Sequence, residues 1–398
     1  MDFHGSMTIL AISIAIPVLH LLLPSLLQWD SWDKCTTPVS PYNDDYWYKC
    51  DGCTISKQAA ATFPMFAALL NAVHQKAAKV RILTNNYETP TCGEWIAPLD
   101  WLALNGIEVR YYRTTTFMHT KYVAVNGKKA SVSSVNFSHT SFMQNREAGM
   151  IVSGNGSDQI RQFYQTVFNG DWEIAIPYTV NNTYAYSDWQ TITSTNPYTV
   201  TVPPQPVISG AYVTPQPADI TETMTATAWA SPDSGLSEMM SDLNAATTSF
   251  ELYVYQVTDT TLCQKLQDLH ANGIQVTLLV SSNIVSSSDK SSAAACYQQL
   301  YNAGLTAQMT ASYYTYSHQK YWVVDGKTVS LSSGNWSPTD SPAPPSDGYV
   351  PYGKDGWSAT NRDFNLRVNS SQVVSVFQTT FSQDLKRATP YMPGWAQA

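Results

Sequence analysis

Two stretches of this chain are versions of one segment. Between residues 119–138 and 318–337, 11 of 20 positions are identical, and in each a His-x-Lys triplet is followed, 17 residues after its histidine (136 − 119 and 335 − 318), by an asparagine. Equal spacing over that length requires the two segments to fold alike, so the chain carries one structural unit twice. Inside each segment apolar and polar residues alternate up to Asn126-Gly127 or Asp325-Gly326 and then resume, the pattern of a hairpin closed by a two-residue turn. His and Lys are therefore expected to enter one strand, and the asparagine to leave the returning strand at the same edge.

The flanks repeat as well. "LSEMMSDLNAATTSFELYVYQ", "LCQKLQDLHANGIQVTLLVS" and "CYQQLYNAGLTAQMT" precede the second copy, and "FPMFAALLNAVHQKAAKVRILTNN" and "IAPLDWLALNGIEVRYYR" precede the first. Amphipathic helices alternating with β-branched strands predict an α/β sheet covered on both faces. A chain of 398 residues has room for two such units. The Pro-rich stretch between Tyr178 and Pro217 lacks either periodicity and reads as a linker, 179–217, between halves at 31–178 and 218–398.

From Met7 to Leu27 no residue is charged, and 21 positions at about 1.5 Å each would just cross a bilayer core of about 30 Å. Residues 1–30 thus read as a signal peptide or a signal anchor, with a buried helix as the alternative, and either membrane reading sends the rest into the secretory lumen. Six cysteines, Cys35, Cys50, Cys53, Cys92, Cys263 and Cys296, form an even set suited to disulfides in an oxidising compartment. Cys263 with Cys296 is the natural pair in the second half. Cys50 and Cys53 could instead be half of a zinc site, but no second close-spaced pair accompanies them. Asn155, Asn181 and Asn369 head glycosylation sequons. So do Asn136 and Asn335, which belong to the repeat and are better read as donors facing a pocket. The formal charge of −8 gives no broad basic surface for duplex nucleic acid.

Histidine and lysine two apart on a strand project to one face. A neutral imidazole can attack phosphorus, while an ammonium holds a phosphate oxygen as charge develops. Two copies brought together would set His119, Lys121 and Asn136 against His318, Lys320 and Asn335 around one phosphodiester, one histidine attacking and the other protonating the leaving oxygen. The lysines and asparagines supply the charge that a metal would otherwise provide, so no cofactor is expected. A lone histidine at a strand start is usually a satisfied structural group; matched Lys and Asn in both copies argue otherwise. His4, His20, His74, His139 and His270 have no such partners.

These residues resemble the paired HKD motif of the phospholipase D superfamily. The likeness covers roughly residues 60 to 170 and 225 to 385, and it implies two α/β sandwich halves, a duplicated phospholipase D-like fold, packed about a pseudo-two-fold axis with the site at their seam. It also implies that the acid orienting a histidine is Glu147 in "NREAGMIV" and Asp363 in "NRDFNLRV", that Ser134 and Ser333 join the asparagines in binding substrate, and that His119 is the nucleophile and His318 the acid. Asn126 stands where the motif has Asp, whereas Asp325 is kept; that Asp is mainly structural in the family, so the first copy is expected to function. Ser133 and Ser332 replace the usual glycine. Asn to acid spans 11 residues in the first copy (147 − 136) and 28 in the second (363 − 335), the extra length reading as a loop over the cleft.

The activity implied is hydrolysis of a phospholipid phosphodiester through a phosphohistidine, by an enzyme that meets the membrane through residues 7–27. A branch of the superfamily with a membrane anchor and a luminal body, and with segments similar to His119–Tyr122 and "GNWS", degrades single-stranded nucleic acid, and single-strand binding needs only aromatic platforms and a short cationic groove. A non-catalytic scaffold is the third reading, encouraged only by Asn126.

Overall fold

The computed structural model describes residues 2–13, 68–69, 71–73, 78–85, 99, 102–112, 116–137, 141, 144–180, 218–343 and 360–397. The first half comprises β1 (Asp2–Ser13), β2 (Arg81–Thr84), β3 (Glu108–Tyr111), β4 (Thr116–Met118), β5 (Tyr122–Val125), β6 (Lys129–Ser133), β7 (Ala148–Ser153), helix α1 (Asp158–Ile174) and β8 (Ile176–Pro177). The second comprises β9 (Ala218–Ser231), α2 (Gly235–Ala245), β10 (Ser249–Val254), α3 (Thr260–Ala271), β11 (Gln275–Val280), α4 (Ser287–Asn302) and β12 (Gln308–Met309). It ends with β13 (Lys320–Val324), β14 (Thr328–Ser332), β15 (Thr360–Asn369), α5 (Ser371–Leu385) and β16 (Thr389–Pro390).

The strands show the duplication. In the second half β11 runs parallel to β10, β10 antiparallel to β13, and β13, β14, β15 and β9 follow as an antiparallel meander. In the first, β3 runs parallel to β2, and β5, β6, β7 and β1 form the matching meander. β1 and β9 pair antiparallel and join the two meanders into one sheet. Both expected hairpins are present, and Asn126 (φ 51°) and Asp325 (φ 52°) take the left-handed conformation ahead of Gly127 and Gly326, as a mirror-image turn requires. Asn272-Gly273 and Ala303-Gly304 close α3 and α4 as their sequence implied.

Two cores result. One lies between the halves, where Tyr122, Met150, Tyr164 and Trp172 meet Phe364, Leu366, Phe377 and Phe381. The other packs α2, α3 and α4 on the second half, around Trp322 and Trp336. Cys263 and Cys296 are joined across α3 and α4, with Cα atoms 5.9 Å apart.

Residues 2–13 depart from the sequence expectation. Part of the uncharged run read as a membrane segment is a strand between β7 and β9; an apolar run suits a strand inside a sheet as well as it suits a bilayer. The remainder of that run, Cys35, Cys50, Cys53 and Cys92, the linker from 181 to 217 and residues 344–359 of the expected loop lie outside the described residues. No helix among the described residues is long and apolar enough to cross a membrane.

Candidate active site

Each histidine is delivered by hydrogen bonds from the opposite half. β4 runs parallel to the start of β15, pairing Met118 with Arg362, and His119 N donates to Arg362 O at 3.0 Å. One residue further on β15 is Asp363, whose Oδ1 lies 3.0 Å from His119 Nδ1. The second copy repeats this: Arg146 bridges to Ser317, His318 N donates to Arg146 O at 2.8 Å, and the next residue, Glu147, sets both carboxylate oxygens 3.1 Å from His318 Nδ1. The acid therefore serves the histidine of the opposite half. With Nδ1 held by a carboxylate, Nε2 is the atom left for chemistry.

The acids are fixed in turn. Ser134 Oγ donates to Glu147 Oε2 at 2.6 Å and accepts from Ala148 N at 2.9 Å; Ser333 Oγ donates to Asp363 Oδ1 at 2.7 Å and accepts from Phe364 N at 3.0 Å. Both serines are wholly buried. This corrects their expected place among the substrate-binding groups: their hydroxyls are committed to the carboxylates.

Lys121 and Lys320 are buried, and each ammonium donates to the carbonyl of its own histidine. Burial brings the Lys320 ammonium down to about 7, against the pull of Glu147. Lys121 acts electrostatically on both His318 and Lys320, so the two copies share one site. Asn136 is buried, and Asn335 Oδ1 is a buried acceptor with no hydrogen-bond partner. Tyr255 stacks edge-on against His318 at 5.2 Å and lies under the Lys320 ammonium at 5.6 Å.

The two histidines differ in the carboxylates that meet Nδ1. His119 Nδ1 has a second carboxylate, Asp340 Oδ1, at 2.9 Å, and Asp340 accepts from Asn361 Nδ2 at 2.7 Å and from Ser337 Oγ. Gly334 makes room for it: a Cβ there would lie 2.7 Å from Asp363 Cγ and 3.1 Å from Asp340 Cβ, while the first copy has Val135 at this position. Burial and Lys121 favour a neutral His119, but Asp363 and Asp340 outweigh them and its pKa lies above the ordinary value. In His318 burial, helped by Lys320 and Lys121, outweighs Glu147 and the pKa lies below it. One imidazole nitrogen and two carboxylate oxygens of His119, Asp340 and Asp363 lie within 4.8 Å of one another. That spacing is compatible with a cation in principle; the Lys121 ammonium, which acts on both His119 and Asp363, already supplies positive charge, and we assign no metal here.

Residues 50–172 and 239–385 match the family described as "Cardiolipin synthase, PLD-like domain", one segment in each half. The chain belongs to this phospholipase D-like family. It is 30% identical over 118 residues to mitochondrial cardiolipin hydrolase of Xenopus laevis and 27% identical over 110 residues to that of Xenopus tropicalis. Those matches cover 30% and 28% of this chain and 53% and 50% of the relatives, so the chain spans about half the length of the curated relatives it matches. The solved phosphatidylserine synthase of Haemophilus influenzae Rd KW20 shares the fold, with a TM-score of 0.53 at 11% identity, over 87% of this chain and 80% of that one.

Within this phospholipase D-like frame, three functional positions escaped the sequence reading. Arg146 and Arg362 each precede the acid, carry the carbonyl that binds the opposite histidine, and pair with buried Asp384 and Asp171. The Asn-Arg-acid triplets at 145–147 and 361–363 were a visible signal for them. Asp340 had none: five residues after Asn335, it stands where the first copy has Ser141, five residues after Asn136, and each accepts from the Asn of its triplet, Asn361 or Asn145.

Proposed function

We propose that the chain is a metal-independent phosphodiesterase of the phospholipase D type that hydrolyses a phospholipid through a phosphohistidine. The observation that carries this reading is the pair of buried histidines, each with Nδ1 held by a carboxylate of the other half and with a buried lysine beside it. One imidazole Nε2 attacks phosphorus as the other gives its proton to the leaving oxygen; water then attacks the phosphohistidine, returns that proton, and releases the phosphomonoester. The lysines and Asn335 would hold the non-bridging oxygens as charge develops. The names of the curated relatives, cardiolipin hydrolases, support a lipid substrate.

The test is the chain expressed through a secretory host and assayed with chelator present, from acidic to neutral pH, on cardiolipin, on phosphatidylcholine micelles and on single-stranded DNA. Lipid cleavage that disappears in His119→Ala and His318→Ala is the expected result. Shortening of DNA alone would replace the lipid with nucleic acid, and silence on every diester would sink the phosphodiesterase reading. Residence in the secretory lumen belongs to the same proposal and is supported by the Cys263–Cys296 disulfide. Glycosidase treatment should then shift the mobility of the expressed chain through exposed Asn155 and Asn369; an unshifted chain would argue for another compartment.

A further inference from the structure

We propose that Asp340 is a positioning residue that, together with Asp363, makes His119 the proton donor and leaves His318 to attack phosphorus. The assignment rests on the phosphodiesterase reading and reverses the order that family resemblance suggested. It begins from a break in the pseudo-symmetry at the two histidines. His318 Nδ1 faces a single carboxylate, Glu147, plus the carbonyl of Ser134 at 3.0 Å. His119 Nδ1 faces two carboxylates, at 2.9 and 3.0 Å.

The second carboxylate is built in rather than incidental. Asp340 is buried, fixed by Ser337 and Asn361, and packs beside Gly334, where a Cβ would come within 3.1 Å of its own Cβ. Two buried carboxylates on one ring nitrogen favour the imidazolium, because each is worth more in a low-dielectric site than in water. The charged groups around His119 are Lys121, Asp340 and Asp363, and those around His318 are Glu147, Lys320 and Lys121. The balance is positive-seeking at His119 and neutral-seeking at His318, in line with the opposite directions of their pKa values.

The chemistry then has one order. His318 Nε2 forms a bond to phosphorus while the phosphorus–oxygen bond to the leaving group breaks, and the Nε2 proton of His119 passes to that oxygen. In the second step a water oxygen bonds to phosphorus, its proton goes to His119 Nε2, the phosphorus–nitrogen bond breaks, and His318 is regenerated with its Nδ1 proton still toward Glu147.

The proposal is tested first without turnover, by following the two imidazoles by NMR across pH in the full chain and in Asp340→Asn. His119 should titrate above His318, and the substitution should lower His119 by about one unit or more while leaving His318 in place. A His119 midpoint at or below that of His318, or one unmoved by the substitution, overturns the proposal. If Asp340→Asn does not fold, Asp340→Ser, which sets there the residue of the equivalent position 141, also removes the carboxylate and should lower His119 in the same way.

Turnover supplies the second readout. Acid-resistant sample handling is replaced by alkaline quench, which preserves phosphohistidine, after mixing with bis(p-nitrophenyl) phosphate; the phosphoryl group should map to His318 and persist in His119→Ala. A phosphoryl group on His119 overturns the assignment. Asp340→Asn should lower kcat about tenfold more for an alkyl than for a p-nitrophenyl leaving group, with KM shared, since only the poor leaving group needs the proton; equal losses would mark a merely structural role and overturn it. Titrations that match expectation in a chain that never forms phosphohistidine would overturn the phosphodiesterase reading, and the assigned roles with it.

Discussion

Arg146 Nε stands 2.9 Å from Asp384 Oδ2, both groups buried, one from each half of the chain. The pair does more than bridge: the carbonyl of Arg146 binds His318 N, and Asp384 also accepts from Tyr253 Oη at 2.9 Å. Arg146→Ala strands a buried carboxylate, so a loss of about 3–5 kcal/mol is expected. Urea denaturation should show the double variant Arg146→Met/Asp384→Leu costing less than that single substitution. A double variant as damaged as the sum of the two singles would mean that the pair does not act as a unit.

Asp171, the partner of Arg362, provides a pH test. Burial pushes its carboxyl up to about 6 in spite of the arginine, against about 3.9 in an unfolded chain. Between those values the native state holds a proton that the unfolded state has released. Raising the pH across that window therefore favours unfolding, and the contribution is full below about 4 and lost as pH passes about 6. Relative to Asp171→Asn, in which the other acids titrate alike, the unaltered chain should lose on the order of 2 kcal/mol between those limits. Parallel stability curves for the two proteins would refute the shift.

Asp325 and Asn126 occupy equivalent turns with unequal work. The Asp325 carboxylate accepts from the backbone N–H groups of Thr247, Thr248 and Ser249 at 3.1, 2.8 and 3.0 Å, tying the β13–β14 turn to the entry of β10. Burial opposes its ionisation, but these bonds, with the Thr247 hydroxyl, together outweigh it and hold its pKa well below the carboxylate range. Asp325→Ala should cost about 1–2 kcal/mol, discounted for exposure, with little change in kcat. Asn126→Ala should cost only about 1 kcal/mol, from the left-handed backbone. A collapse of kcat in Asp325→Ala without loss of stability would show that the residue acts in the site.

What was legible in the sequence was local or repeated. Asn126-Gly127 and Asp325-Gly326 encode their hairpins within four residues, and the matched His, Lys and Asn identified both strand ends. That Glu147 serves His318 rather than His119 depends on how the halves meet, through β4 against β15 and Arg146 against Ser317, and no spacing within a half encodes it. Ser134 and Ser333 were expected among the pocket donors from the family resemblance, yet a residue alternating along a strand end turns inward as readily as outward. Asp340 stands where the first copy has Ser141, so comparison of the two copies, which singles out what is shared, passes over it.

Gly334 is the steric condition for the place that Asp363 takes beside His119. A methyl group at this position would fall 2.7 Å from both Asp363 Cγ and Oδ2, closer than packing permits, so Asp363 or the backbone must move. Gly334→Ala should fold, lower kcat at least about tenfold through misplacement of Asp363, and lose more in Gly334→Val. Steady-state kinetics on both variants decide this, and wild-type rates in either would show that Asp363 has room to spare.

Lys320 sets the alkaline side of the pH profile. With its ammonium brought by burial to about 7, the free enzyme loses a positive charge as pH rises through that value, and with it attraction for the anionic diester. The pH profile of kcat/KM reports the free enzyme, so kcat/KM should fall above about pH 7. A bound phosphate stabilises the ammonium and moves its titration upward, so kcat should hold to higher pH. Deprotonation of His119 would also produce an alkaline limb, but one present in kcat as well. Lys320→Arg separates the two, because a guanidinium stays charged throughout. The substitution should lower the rate, the buried site being shaped for an ammonium, yet flatten the kcat/KM limb; a limb that survives unchanged in Lys320→Arg would assign it to His119 instead.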